Sequence, residues 1–128
     1  MTVSTLMPLL NVEDVPRSLT FYREALGFEV IQEAEIDGVT IWACIGSGEA
    51  KLMLNQPDSA DSGARAARPS YSDVVLYLTV EDAHERHGAL AARGLAIGPV
   101  ERQAYGVDEF LLRDPDGYEL AICSPIND

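Results

Sequence analysis

The segment Leu10-Asn11-Val12-Glu13-Asp14 returns 68 positions later as Leu78-Thr79-Val80-Glu81-Asp82. Each copy carries an apolar strand pattern through an acidic corner into a helix, and this duplication constrains the fold more than any other feature. In the first copy Asp14 is placed as an N-cap, with Pro16 in the first turn and Leu19, Tyr22 and Leu26 on one helical face. Gly27 stops that helix in the left-handed conformation. In the second, Asp82 and Glu85 form an acidic variant of the capping box, and the helix runs to Gly94.

The strands follow from the period-2 patterns around these helices. Leu6 to Val12 reads as a strand mostly buried on both faces, with Pro8 placing it at an edge or beside a bulge. Phe28–Glu35 and Gly38–Ile45 are joined at Asp37-Gly38, a two-residue hairpin signal, and Ala50–Asn55 follows. Residues 57–70 are rich in Pro, Ser, Asp, Gly and Ala without apolar period, the pattern of a flexible linker. Pieces around Leu95–Val100, Val107–Arg113 and Tyr118–Cys123 complete the second unit, with the turn Asp114-Pro115-Asp116-Gly117 between the last two. The prediction is an α+β fold: two tandem βαβββ modules, at about 5–56 and 71–126. Neither module buries its sheet alone, so they should pair into one domain over 1–128, within one chain or swapped between two.

Twenty-one acidic against nine basic residues give a net charge of −12, which argues against nucleic-acid and anionic-membrane partners. No apolar run reaches the roughly 18 residues of a membrane span. No signal peptide is visible, so a cytoplasmic location is expected. Cys44 and Cys123 lie in apolar stretches without metal-binding spacing and read as buried thiols. His84 and His87 share a helix face and read as part of a solvated surface. No Gly-x-Ser-x-Gly element or phosphate-binding glycine loop is present.

The Val12-to-Phe28 pattern VEDVPRSLTFYREALGF, the repeat, and Asp-Pro-Asp-Gly-Tyr-Glu-Leu at 114–120 resemble the vicinal oxygen chelate superfamily, which includes glyoxalase I, extradiol dioxygenases and bleomycin resistance proteins. The resemblance implies a curved mixed sheet forming a cup, with helices outside. It also implies four metal-ligand positions, which fall here on Met7, Met53, Val75 and Ala121. None offers the imidazole or carboxylate that a divalent ion of this kind takes, so no metal, cofactor or catalytic residue is expected.

Strand parity carried outward from those four positions predicts an apolar, aromatic-edged cup suited to a small molecule. Its ligand-binding set is Met7, Leu9, Trp42, Met53, Asn55, Val75, Tyr77, Tyr105, Glu119 and Ala121, in which the facing of Trp42 and Tyr105 stays open. The function expected is metal-independent sequestration of a bulky aromatic compound, with cations favoured by the charge, in a homodimer like that of the bleomycin resistance branch. The alternative is a lyase, isomerase or dioxygenase of the same superfamily with relocated ligands or metal-free acid-base chemistry.

Overall fold

The computed structural model describes residues 1–126 and divides into two compact units, Met1–Gly63 and Ala64–Asp128. The first contains β1 (Leu9–Asn11), α1 (Val15–Leu26), β2 (Glu29–Ile36), β3 (Val39–Ser47) and β4 (Ala50–Asn55). Its sheet has the order β1-β4-β3-β2, with β1 parallel to β4 at the edge. The Asp14 carboxylate accepts from the Arg17 N–H at 3.2 Å, and Gly27 ends α1 at φ 73°. Because the Phe28 N–H is spent on Tyr22 O, β2 begins one residue later than the pattern suggested. The buried face of α1, led by Val15, Leu19, Tyr22 and Leu26, lies over the sheet side carrying Leu10, Ala43, Ile45, Leu52 and Leu54. Burying each such side chain stabilises the unit by about 1.5–3 kcal/mol.

The first strand is shorter than expected. Only Leu9–Asn11 pairs, and just Leu10 is buried, whereas Leu6, Met7 and Leu9 are exposed. The proline accounts for this: Pro8 still accepts from the Met53 N–H, but it brings no donor to extend the ladder.

The linker region contains a short helix, α2 (Ser62–Ala66), which the Ala- and Arg-containing run permits but its lack of apolar period concealed. The second unit then gives β5 (Val75–Thr79), α3 (Ala83–Ala92), β6 (Glu101–Arg102), β7 (Val107–Arg113) and β8 (Glu119–Pro125). Its order β5-β8-β7-β6, with β5 parallel to β8, repeats the first sheet. The expected strand at Leu95–Val100 is reduced to a single bridge, Ile97 to Leu112. Gly98 gives its N–H to Leu111 O, Pro99 has none to give, and pairing resumes only at Glu101. The last strand begins at Glu119 because the Tyr118 N–H turns back to Asp114 Oδ1.

Phe110, Leu112, Leu120 and Ile122 form the helix-facing core of this sheet, against Ala83 and Leu90 of α3. Both histidines of α3 turn toward the sheet. His87 bonds Gly98 O at 2.9 Å and sets its ring edge-on to Phe110. His84 lies 3.1 Å from Asp108 Oδ2, and Arg102 Nε lies 3.1 Å from the other oxygen. These two bonds, Arg102's first, hold the Asp108 carboxyl below the usual carboxylate range. The pair is therefore partnered within its own unit instead of forming a wholly solvated face. No helix among the described residues is long and apolar enough to cross a membrane.

Candidate functional site

Register decides what the second sheet presents opposite α3. Val75 pairs with Glu119, Tyr77 with Ala121 and Thr79 with Cys123, while Glu109 pairs with Cys123, Leu111 with Ala121 and Arg113 with Glu119. Side chains directly opposite share a face, so Tyr77 and Glu109 project from the same side. Glu109 is only 2% exposed. Its Oε2 accepts from the Tyr71 hydroxyl at 3.2 Å and its Oε1 from the Tyr105 hydroxyl. The Tyr77 hydroxyl lies 3.1 Å from that of Tyr105 and 3.4 Å from that of Tyr71. Three phenols thus converge on one buried carboxylate while their residues remain 46–61% exposed. Tyr71, Tyr77, Gln103, Tyr105, Glu109 and Leu111 contribute to the walls of an open cavity of about 370 Å³.

The hydrogen bond with Tyr71, then burial, then the negative charge of Glu109 push the Tyr77 hydroxyl well above the usual tyrosine range. Ionising it works against the fold: its stabilisation is complete below the ordinary value of about 10 and is lost as pH rises through the higher folded value. In an alkaline ultraviolet titration, the step assigned to Tyr77 by its loss in Tyr77→Phe should therefore come late. Tyr71→Phe should bring that step down, and an unchanged late step would contradict the assignment.

Tyr71 is placed by its backbone as much as by its ring. It adopts φ 63°, which is uncommon for a side chain of its size, and donates its N–H to Glu119 Oε1 at 2.8 Å. The other Glu119 oxygen faces Arg113 Nη2 at 3.4 Å. Arg113 also donates to Gly117 O (2.7 Å), Arg68 O (2.7 Å) and Arg65 O (3.2 Å). Arg65 in turn donates to Asp116 O and stacks 3.9 Å above the Tyr118 ring. The arginines therefore clamp residues 65–71 onto the β7–β8 turn, and both Glu119 oxygens are engaged in that clamp.

In the first unit, Leu9 and Cys44 pair with Met53, and Asn11 and Trp42 pair with Asn55, all on the face opposite α1. This fixes the facing of Trp42, which the sequence left open. The Met7 sulfur lies 3.8 Å from Cys44 Sγ, and Asn55 donates to Asn11 Oδ1. Of the ten residues read from sequence, Met7, Leu9, Trp42, Met53 and Asn55 gather in the first unit. Val75, Tyr77, Tyr105, Glu119 and Ala121 belong to the second.

Tyr71 and Glu109 were missed. Glu109 was within reach, because it sits across from Cys123 and obeys the same alternation as Glu119 and Ala121. Tyr71 lies outside any strand and had no such signal.

The four metal-ligand positions do not fit a divalent ion. Met7 and Met53 offer thioethers, Val75 and Ala121 offer no donor, and Ala121 is fully buried. Among the described residues, no three His, Cys, Asp or Glu side chains cluster in a way that could hold a metal.

Residues 4–122 match the family model of the Glyoxalase/Bleomycin resistance protein/Dioxygenase superfamily. The chain belongs to this superfamily. Its repeated β-α-β-β-β order and two four-stranded mixed sheets are the modules of the vicinal oxygen chelate fold. Solved structures resemble it in fold over nearly their whole length. TnmS3, an antibiotic binding protein from Streptomyces sp. CB03234, is 21% identical, with coverage of 98% of this chain and 99% of that one and a TM-score of 0.73. The bleomycin-binding protein of bleomycin-producing Streptomyces verticillus, complexed with copper(II)-bleomycin, is 21% identical, with coverage of 100% and 99% and a TM-score of 0.66. Lactoylglutathione lyase from Agrobacterium tumefaciens is 21% identical, with coverage of 97% and 96% and a TM-score of 0.69. No curated protein sequence matches the chain. Binding proteins and a lyase thus share this superfamily fold, and the choice between them rests on the site.

Proposed function

We propose that the chain is a metal-independent binding protein that sequesters a bulky aromatic small molecule, with positively charged compounds preferred. The observation that carries this reading is the convergence of Tyr71, Tyr77 and Tyr105, all half-exposed, on the buried Glu109. Exposed phenol rings offer flat apolar surface at low conformational cost, and the carboxylate behind them favours positive charge. The net charge of −12 acts in the same direction at longer range. The similarity to antibiotic- and bleomycin-binding structures is compatible with this class of ligand. The proposal includes pairing of the modules into one ligand cup, a homodimer, and a cytoplasmic setting.

The rival is a superfamily enzyme using metal-free acid-base chemistry, for which the phenol–carboxylate cluster is the natural candidate. The elevated Tyr77 hydroxyl works against it, because a phenol that holds its proton this firmly does not serve as a base near neutral pH. Calorimetric titration with planar aromatic cations, their neutral analogues and cationic glycopeptides such as bleomycin tests the reading. Saturable one-site binding by at least one cationic aromatic compound, unchanged after chelator treatment, is expected. Binding that vanishes on chelation and returns with added Zn or Ni would overturn the metal-independent claim.

A further inference from the structure

We infer that the cluster of Tyr71, Tyr77, Tyr105 and Glu109 selects cations that carry N–H groups, of the ammonium, guanidinium or amidinium class, because its own hydrogen-bond inventory leaves it only acceptors to offer. This inference rests on the small-molecule reading above and narrows it. Glu109 receives one phenol proton at each oxygen, from Tyr71 at Oε2 and from Tyr105 at Oε1, so it takes part as a carboxylate, which accepts and does not donate. The third phenol has one proton. Tyr77 stands within reach of the Tyr71 and Tyr105 oxygens at 3.4 and 3.1 Å and gives that proton to one of them.

Every hydroxyl proton of the cluster is thus spent inside it. Lone pairs on the three phenol oxygens remain to be offered to the cavity, backed by a buried negative charge. The firm retention of the Tyr77 proton keeps this inventory intact around neutral pH. A carbonyl or an anion approaching these four side chains meets acceptors and no donor among them, whereas an N–H cation satisfies several lone pairs at once. Of the other lining side chains, Glu101 adds negative charge, and Gln103 carries the amide N–H that could donate.

Calorimetry on the full chain with four ligands sharing one phenyl body separates the contributions. Benzamidinium is charged and carries N–H groups, benzyltrimethylammonium is charged without them, benzamide is neutral, and benzoate is anionic. Benzamidinium is expected to bind at least tenfold more tightly than benzyltrimethylammonium or benzamide, with no binding of benzoate. Glu109→Gln should weaken benzamidinium at least tenfold and flatten the order, because the new amide N–H turns one phenol proton outward. Tyr77→Phe removes one acceptor without touching either bond to Glu109, so it should weaken benzamidinium several-fold in a chain that still folds. Equal affinity for benzamidinium and benzyltrimethylammonium would overturn the N–H inference while leaving aromatic-cation binding standing. Failure of all four, together with failure of larger planar cations, would remove the binding reading beneath it.

Discussion

Arg113→Ala is expected to destabilise the chain by roughly 3 kcal/mol, the range found when one partner of a buried ion pair is removed. The reason lies in what the guanidinium leaves behind. Glu119 is only 7% exposed, and its remaining contact is the Tyr71 N–H. The carbonyls of Arg65, Arg68 and Gly117 lose a donor as well. In a thermal melt the midpoint should fall by roughly 10 °C for a chain of this size. Arg113→Lys should recover only part of the loss, because one ammonium cannot reproduce the spread of a planar fork. In the double variant Arg113→Ala/Glu119→Ala the cost should be less than the sum of the two singles, since no charge is then left buried and unpaired. Additive losses would show that the pair is not coupled.

Gly117→Ala should cost roughly 2–3 kcal/mol, through two separable effects. Gly117 sits at φ 86°, a conformation that penalises any side chain, and a Cβ there would meet the backbone nitrogen of Ala66 at 2.6 Å. The turn and the end of α2 would have to separate. Gly38 is the control, with φ 78° and open space where a methyl group would stand. Gly38→Ala should therefore carry the backbone penalty alone, about 1 kcal/mol. Urea unfolding of both variants gives the difference, and equal losses would mean that the contact with Ala66 contributes nothing.

These two sites also show where the sequence was legible. Hairpins, caps and alternation are local, so Asp37-Gly38, the N-caps Asp14 and Asp82, and the turn at Asp114–Gly117 could be placed from residue chemistry alone. The repeat then fixed the order of elements twice over. Parity brought Val75, Tyr77, Glu119 and Ala121 to one face because strand geometry admits no other outcome once the register is known. What escaped was set by contacts distant in sequence. Alternation places Glu119 in the ligand-binding set, but Arg113 and the Tyr71 N–H occupy both its oxygens. Residues 57–70 looked like a plain linker, yet their second half is held through the backbone carbonyls of Arg65 and Arg68, and no side-chain pattern announces a carbonyl contact. Tyr71 became part of the candidate site by the same route. Its neighbours carry no strand period, and it is the clamp on the preceding residues that delivers its hydroxyl to Glu109.

The clamp and the candidate site are therefore linked. Loss of Arg113 should loosen Tyr71 and weaken ligand binding as well as stability, while Tyr77 and Tyr105, carried on and beside the sheet, stay in place.

The most direct test of the central claim is a two-dimensional NMR titration of the isotopically labelled chain with a planar aromatic cation such as 4′,6-diamidino-2-phenylindole. Saturable shifts are expected in the amides and ring protons of Tyr71, Tyr77 and Tyr105 and in the Glu109 amide, with a common binding curve. Shifts that leave these four residues unmoved, or no saturable change with any cationic aromatic ligand, would contradict it.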